Sequence, residues 1–282
     1  MSAGHNDAPA PPDPDTVLRL LHGVRQGRMF DLAQPVSPRS PHLPVQPPYR
    51  METSGVRLSD AMGSALDTEV FAEHIQMTLH VGTHVDALGH FAADGHWCHG
   101  TPAGVDPSGS GVAHHGIETL GPIIARAVAL DVASWAGVSR LEAGTPVTAA
   151  MLRGAASAQG VGVEPGDVVL VRTGWEDYYM TDNARYVSGE PGLDEDAARF
   201  LSDRRVAAIG ADNMALEVMP FAEPHHPFPV HRHLLAEAGV HIVENLLLRN
   251  LCSAGVRTGL FMLFPIHFVG GTASPATPVI IT

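Results

Sequence analysis

Short apolar runs alternate with amphipathic segments through the second half of the chain. Runs with the pattern of buried strands occur at residues 123–131, 167–174, 206–213, 240–243 and 260–266. Segments with a helical pattern lie between them, at residues 148–159, 194–204 and from 227 to about 239. Thr148 is placed to cap the first of these helices and Gly160 to end it. Strands that alternate with helices predict an α/β or mixed fold.

The first half of the chain has a less regular pattern. A polar, proline-rich lead precedes a helical pattern that Asp13 or Asp15 caps and that continues to about Val24. Three further segments predict, in order, an extended proline-rich loop, a strand with a turn, and a loop rich in glycine and histidine: residues 35–50, 71–91 and 92–116. We therefore divide the chain into a mobile N-terminal extension with a short helix, residues 1–27, and a single domain, residues 28–282.

Composition narrows the class of protein. Of the 282 residues 45% are apolar, enough for a sizeable core, and the formal charge of −13 disfavours binding to a phosphate backbone. The two cysteines, Cys98 and Cys252, form no disulfide framework and are typical of a reducing cytoplasm. The N-terminus lacks the pattern of a secretion signal, and no apolar stretch is long enough to span a membrane. We therefore expect a cytoplasmic protein that binds neither nucleic acid nor membrane.

The most informative polar pattern is His80-x-Gly82-Thr83-His84-x-Asp86-x-x-x-His90. His84, Asp86 and His90 follow His80 at offsets of 4, 6 and 10, and side chains at even offsets in an extended strand lie on one face. Two imidazoles and a carboxylate form a donor set that suits Zn²⁺, Mn²⁺ or Fe²⁺, and His90 is left beside the metal to move protons. Because burying this much polar surface without a metal is costly, we expect a metal site rather than a structural cluster.

A second polar cluster lies near the end of the helix–strand pattern. His231 stands where a helix begins, and Glu244 ends the strand that follows this helix. One helix and a return strand bring their ends to the same edge of a sheet, so the two side chains would face a common point. They offer a second N,O donor pair, and Asp86 could bridge two metals because a carboxylate has two oxygens.

Other residues are candidates for supporting roles. Glu217 and Asp212 follow a buried strand, where orienting a metal ligand and an ordinary loop role are about equally expected. The substrate pocket would be lined by aromatic side chains drawn from the following set: Phe71, Trp97, Trp175, Phe221 and Phe228. An aromatic pocket predicts an aryl formamide or a bicyclic lactam as the natural class of substrate.

The histidine motif resembles the signature of the metal-dependent hydrolase family often called the cyclase family, which includes bacterial kynurenine formamidases and isatin hydrolases. Further blocks of the chain are similar to that family, and the resemblance covers roughly residues 28–282. These blocks are Asp31-Leu32, residues 167–175, Pro191-Gly192-Leu193, Gly210-Ala211-Asp212-Asn213, Pro229-Val230-His231 with Glu244-Asn245-Leu246, and residues 271–275.

The resemblance implies a fold, a metal site and an assembly. The fold would be a swivelling β/β/α-type domain, with a mixed sheet or small barrel flanked by helices, in a homodimer or homotetramer. His80, His84 and Asp86 would bind the first ion, and Asp86 would bridge to a second ion held by His231 and Glu244. The cofactor would be Zn²⁺ or Mn²⁺, one or two ions per chain. His90 would be the general acid/base, and we count Glu244 with it among the catalytic residues.

The expected activity is hydrolysis of a small molecule. A metal-activated water would attack an amide, lactam or lactone, so the enzyme would act on C–N bonds other than peptide bonds. One alternative is a polyketide-type cyclase or dehydratase that uses the same centre to close a ring with loss of water. Another is a non-catalytic small-molecule-binding protein on the same scaffold, against which the retained His90 argues, since a binding module needs no spare proton carrier.

Overall fold

A curled, nine-stranded mixed sheet is the centre of the protein in a computed structural model, which describes residues 13–44, 46–63, 65 and 67–282. The strands of the described residues are, in chain order, β1 Met29–Asp31, β2 Arg50–Arg57, β3 Glu69–Gln76, β4 His84–Asp86, β5 Ile123–Asp131, β6 Pro146–Val147, β7 Val168–Arg172, β8 Gly192–Leu193, β9 Ala208–Ala211, β10 His241–Glu244, β11 Thr258–Leu263, β12 Ala273–Pro275 and β13 Val279–Ile281. The sheet has the order β1-β13-β11-β5-β7-β9-β10-β4-β12, while β2 pairs with β3 and β6 pairs with β8.

The helices are short and lie between the strands. They are α1 Pro14–Gly23, α2 Leu58–Met62, α3 Val132–Trp135, α4 Ala149–Gln159, α5 Asn183–Tyr186, α6 Glu195–Ser202, α7 Pro229–His231, which continues as a π-helical segment Arg232–Ala238, and α8 Arg249–Ser253. Single 3₁₀ turns occur at Leu88–His90, Cys98–Gly100, Ile117–Thr119 and Trp175–Tyr178. In the part of the chain described, no helix combines the length and the apolar character that crossing a membrane would require.

The four central strands β5, β7, β9 and β10 run parallel, as the alternation of strands and helices predicts. Parallel strands are buried on both faces, and the side chains of β5 alternate between two cores. Val128 and Leu130 pack with α4, α6 and the π-helical segment, whereas Ala127 and Ala129 pack with α8 and the remaining strands. The expected mixed α/β fold is confirmed, with its crossover helices on one face of the sheet.

The helix boundaries follow capping chemistry that is readable in the sequence. Asp13 accepts a hydrogen bond from the backbone N–H of Thr16 and so caps α1, and Thr148 accepts from Met151 and caps α4. Gly160 ends α4 in the left-handed conformation that glycine adopts without strain. The predictions for these two helices are confirmed within about one residue at each end. Residues 1–12 of the predicted N-terminal extension lie outside the described residues.

The segment 71–91 differs from the extended strand that the histidine spacing predicts. β3 ends at Gln76, a turn follows, and β4 contains only His84–Asp86 before the 3₁₀ turn at Leu88–His90. Gly82 has φ of +65°, a left-handed conformation that interrupts any strand passing through it. Only His84 and Asp86 therefore share a strand face, and the other two histidines reach the same place from turns.

Two features of the strand pairing have no clear signal in the sequence. β2 and β3 form a hairpin whose residues are all exposed, with the exposed apolar side chains Met51, Val70, Phe71 and Ile75. The chain then closes with two three-residue strands, β12 beside β4 and β13 between β1 and β11. Strands this short contain too few residues for a period of two to be recognised.

Gly210 lies in β9 where the core has no room for a side chain. A Cβ at this position would lie 2.6 Å from Cδ1 of Leu246, 3.2 Å from Cδ2 of Leu170 and 3.2 Å from the carbonyl oxygen of Val243. We predict that Gly210→Ala lowers the free energy of unfolding by about 1–3 kcal/mol, measured by chemical denaturation. Gly162→Ala is the matched control, because an added Cβ there has no neighbour within 4 Å. Equal effects of the two substitutions would contradict the packing argument.

Candidate metal centre

The candidate site is built on β4 and the end of β10. The two strands are antiparallel, and Glu244 lies directly opposite His84 in the register. Within β4, His84 and Asp86 lie on one face while Val85 points into the opposite core. All three polar side chains are buried, with His84 1% and Asp86 0% exposed. The alternation of side chains along β4 therefore places a buried imidazole and a buried carboxylate next to each other.

His80 reaches this pair from the turn before β4. Its Nδ1 lies 2.9 Å from Oδ1 of Asp86, and its Nε2 lies 3.0 Å from the hydroxyl oxygen of Thr272. His84 donates from Nδ1 to the carbonyl oxygen of Gly82 at 2.8 Å, so its Nε2 faces the cluster. That Nε2 lies 3.5 Å from Oδ1 of Asp86 and 3.1 Å from Oε2 of Glu244. Each imidazole thus presents one nitrogen to the carboxylates while a separate group engages the other.

His231 completes the cluster from the opposite side, at the end of α7. Its Nδ1 donates to a carboxylate oxygen of Glu217, and its Nε2 lies 3.2 Å from Oε1 of Glu244 and 3.8 Å from Oδ2 of Asp86. The two oxygens of Asp86 therefore face different imidazoles, as do the two oxygens of Glu244. This arrangement matches a carboxylate that bridges two positions.

The donor set fits a divalent cation. Among the described residues, Nε2 of His84, both oxygens of Asp86 and Oε1 of Glu244 are buried without a hydrogen-bond partner. Buried polar atoms of this kind are destabilising unless something compensates them, and imidazole nitrogens with carboxylate oxygens are the ligands that Zn²⁺ and Mn²⁺ prefer. In the described part of the chain, two groups have ligand atoms that all lie within 4.8 Å of one another: His80, His84 and Asp86, and Asp86, His90 and His231.

The pKa values of the cluster have the pattern of a site built around positive charge. Burial alone would lower the pKa of His84, but its contact with Glu244 raises that pKa to about 9, and Glu217 and Glu244 likewise raise the pKa of His231 well above its ordinary value. Burial would raise the pKa of Asp86, but the surrounding imidazoles lower it. The carboxylates therefore hold protons on the imidazoles, and a metal would replace those protons.

His90 differs from the other histidines of the cluster. Its ring lies against that of His80, tilted by 36° with the centroids 4.1 Å apart, and its centroid is 6.2 Å from that of His231. Burial lowers the pKa of His90 to about 4, and although Asp86 opposes this effect, the neighbouring imidazoles add to it. Without a metal, His90 is therefore uncharged near pH 7. The geometry allows His90 to be either a third ligand beside Asp86 and His231 or a proton carrier.

The structure brings together all six residues that the sequence singled out, His80, His84, Asp86, His90, His231 and Glu244. Phe228 and Phe221, two of the predicted pocket aromatics, lie beside them. The ring of Phe228 is 5.4 Å from that of His231, and the ring of Phe221 is 4.7 Å from that of Phe228.

The other predicted pocket aromatics lie elsewhere. Trp175 is fully buried and packs with Tyr179 and Tyr186. Phe71 lies on the β2–β3 hairpin, is 63% exposed, and has no ring contact with the cluster among the described residues. Trp97 packs against the rings of His114 and His115 in the loop before β5.

Two residues of the site were not assigned a role by sequence reasoning. Phe91 directly follows His90, and its ring lies 5.0 Å from His231 and 5.7 Å from Phe228. Thr272 contacts His80 from 192 positions further along the chain. A single aromatic residue and a single hydroxyl carry no spacing signal, so only the tertiary structure identifies them.

The comparison with protein families identifies the class of protein. A family model described as "Putative cyclase" matches residues 30–218. The chain therefore belongs to the cyclase family. A search of curated proteins finds no match.

Solved structures with the same fold are consistent with this assignment. A crystal structure described as a novel cyclase has a TM-score of 0.83 at 26% identity, covering 96% of this chain and 93% of that chain. Isatin hydrolase A from Ralstonia solanacearum has a TM-score of 0.68 at 23% identity, covering 96% and 98%. A predicted metal-dependent hydrolase from Bacillus stearothermophilus has a TM-score of 0.58 at 20% identity, covering 90% and 97%.

The metal-free protein is expected to lose stability as the pH rises from 6.5 to about 9. The pKa of His84 is raised from 6.5 to about 9, so its stabilising contribution is fully present below pH 6.5 and is lost as the pH rises through 9. The raised pKa of His231 acts in the same direction. So does that of Glu176, in the 3₁₀ turn Trp175–Tyr178, which burial raises from 4.5 to about 8, so that its contribution is lost as the pH rises through 8. We expect the free energy of unfolding to fall by on the order of 3 kcal/mol over this range because of His84. Urea unfolding of chelator-treated protein at several pH values measures this change.

The variant His84→Asn is the control for this pH dependence. It removes the titrating imidazole and should flatten the decline in the free energy of unfolding over the same range. A wild-type stability that stays level or rises between pH 6.5 and 9 would contradict the assignment.

Proposed function

We propose that this member of the cyclase family is a metal-dependent hydrolase that cleaves an amide, lactam or lactone bond of a small molecule. The observation that carries the proposal is the set of buried nitrogen and oxygen atoms on His84, Asp86 and Glu244 that face one another without a regular hydrogen bond, beside the imidazole of His90. The structural similarity to isatin hydrolase and to a metal-dependent hydrolase supports the same class of reaction.

The metal would be held by two overlapping sets of ligands. His80, His84 and Asp86 form one set, and His231 and Glu244, reached by the second oxygen of Asp86, form the other. Zn²⁺ and Mn²⁺ both suit these nitrogen and oxygen donors, as one or two ions per chain. When bound, such an ion makes a coordinated water more acidic and polarises a carbonyl group.

His90 is the residue we assign to proton transfer. Its ring lies beside Asp86 and His231, where Nδ1 or Nε2 can accept the proton of the attacking water and then deliver it to the leaving nitrogen or oxygen. Glu244 is the second residue we place in catalysis. Its two oxygens contact His84 and His231, so it keeps the two sides of the cluster in one geometry.

The aromatic side chains beside the cluster support an aryl formamide or a cyclic amide as the substrate class. Phe91 and Phe228 both lie against the ring of His231, and Phe221 packs on Phe228. Planar rings pack favourably against such side chains, with contacts worth about 0.5–1.5 kcal/mol each beyond area burial. The reaction would then fall among those on C–N bonds other than peptide bonds.

Ring closure with loss of water, as in a polyketide-type cyclase or dehydratase, is the second candidate. The family description as a cyclase favours it. A metal held by the same ligands would polarise a carbonyl for attack by a carbon nucleophile rather than by water. Product analysis separates the two reactions, because hydrolysis adds the mass of water and dehydrative cyclisation removes it.

The presence of His90 beside the cluster argues against a protein that only binds a small molecule, because such a protein needs no proton carrier.

We also propose an assembly and a compartment for the enzyme. The exposed apolar side chains of the β2–β3 hairpin, including Val70, Phe71 and Ile75, support a homodimer or homotetramer. Both cysteines, Cys98 and Cys252, are unpaired, and burial raises the pKa of each thiol, which suits passive residues in the reducing cytoplasm.

Metal content and substrate turnover test the proposed function together. Protein purified without chelator should contain one or two equivalents of Zn or Mn by elemental analysis, and it should hydrolyse at least one member of a panel of aryl formamides, lactams and lactones. Chelation should abolish turnover and the same metal should restore it. Protein that neither contains nor takes up metal would refute the proposal, whereas metal with only cyclised product would favour the second candidate.

His90→Ala should separate the two possible roles of this residue. As a proton carrier, His90 can be removed with the metal content unchanged, while kcat falls by about 10²–10⁴-fold. His96→Ala, at an exposed loop histidine, is the matched control and should keep full activity. Loss of metal in His90→Ala would instead identify His90 as a ligand, and full activity would exclude it from catalysis.

A further inference from the structure

Glu217 contacts a candidate metal ligand without facing the cluster itself. It is 1% exposed, and its carboxylate accepts a hydrogen bond from Nδ1 of His231. The same carboxylate accepts from the backbone N–H of His231 at 3.0 Å and from that of Val230 at 3.3 Å. Glu217 thus binds the ring and the backbone of His231 at once, on the side of the imidazole away from Asp86 and Glu244.

The backbone that carries Glu217 is itself held by the fold. Leu193 in β8 donates its N–H to the carbonyl oxygen of Leu216 at 2.9 Å, and Val218 donates to the carbonyl oxygen of Leu193 at 3.1 Å. Gly192 lies so close that an added Cβ would be 2.5 Å from the carbonyl oxygen of Glu217. The carboxylate therefore reaches α7 from a segment whose backbone is held by hydrogen bonds to β8.

We infer that Glu217 is a positioning residue that fixes His231 for metal binding. By accepting from Nδ1 it keeps the proton on that nitrogen, so the lone pair of Nε2 faces Oε1 of Glu244 and Oδ2 of Asp86. The second contact, to the backbone N–H of His231, prevents the ring and the carboxylate from moving apart. This inference rests on the proposed function, because it needs a metal at the cluster.

The hydrogen bond from His231 distinguishes Glu217 from other buried carboxylates nearby. Glu190 is also fully buried and also accepts two backbone hydrogen bonds, from Met214 and Ala215, both at 2.8 Å. Among the described residues Glu190 makes no hydrogen bond or ion pair with a side chain of the cluster, which makes it a control for the loss of a buried carboxylate. Substitution of either residue should lower the stability of the protein. Only substitution of Glu217 should weaken the metal binding that depends on His231.

The experiment compares Glu217→Met, Glu217→Gln, His231→Ala and Glu190→Gln with wild type. Affinities for Mn²⁺ and Co²⁺ are measured by titration against a fluorescent chelator, and the visible absorption of the Co²⁺ protein reports its coordination. Met has a similar length but cannot accept a hydrogen bond, so Glu217→Met should weaken the His231-dependent affinity by about 10–100-fold. The Gln oxygen still accepts from Nδ1, although less strongly than a carboxylate, so Glu217→Gln should weaken the same affinity by a smaller but measurable factor, about 2–10-fold.

The outcomes distinguish a residue that positions His231 from one with a general structural role. Glu190→Gln should bind both metals with wild-type affinity and spectrum, and equal losses in Glu190→Gln and Glu217→Met would overturn the inference in favour of a general structural role. Wild-type affinity in Glu217→Met beside weakened binding in His231→Ala would also overturn it. If Glu217→Met does not fold, unchanged affinity and an unchanged Co²⁺ spectrum in Glu217→Gln would overturn it instead. Failure of the wild type to bind metal would refute the proposed function itself.

Discussion

The attraction between two buried carboxylates and the imidazoles around them is the interaction on which the site depends. Asp86 and Glu244 are almost completely buried, and their oxygens have too few hydrogen-bond donors among the described residues. Without positive charge nearby, burying two carboxylates would be strongly unfavourable. Raised pKa values at His84 and His231 supply that charge as protons, and a divalent ion would supply it more completely.

The sheet determines how these charges meet. β4 and β10 are neighbours, and the register that sets His84 opposite Glu244 brings a donor from each strand to one place. β10 is also parallel to β9, so the helical crossover between them delivers His231 to the same edge. The usual connection of a strand, a helix and a returning parallel strand therefore brings together residues that are far apart along the chain. The parallel core can remain apolar on both faces because the polar chemistry is confined to strand ends.

A second layer of contacts orients the imidazoles. The carbonyl of Gly82 engages His84, the hydroxyl of Thr272 lies against His80, and the carboxylate of Glu217 engages His231. Each of these contacts occupies the ring nitrogen that faces away from the carboxylates. Ligand histidines commonly have such outer partners, which fix the tautomer and the orientation of the ring. Three different chemical groups perform the same task here, and they belong to separate parts of the chain.

The sequence by itself determined the elements with strong local signals. Caps and glycines set the ends of α4, apolar runs identified β5 and β7, and the spacing from His80 to His90 indicated a metal site. The extended strand inferred from that spacing was wrong, because the left-handed Gly82 turns the chain and a 3₁₀ turn carries His90. Residues at even offsets converge here through turns as well as through a strand, so the offsets predicted the cluster without predicting the backbone.

Only the tertiary structure decided the remaining features. The partners of the imidazoles, Thr272 and Glu217, and the aromatic contact of Phe91 depend on packing between distant segments, and no periodicity marks a single contact of that kind. The short strands β12 and β13 likewise exist because they pair with β4 and with β1 and β11. Local propensity acts over a few residues, whereas these contacts form only after the sheet has brought the segments together.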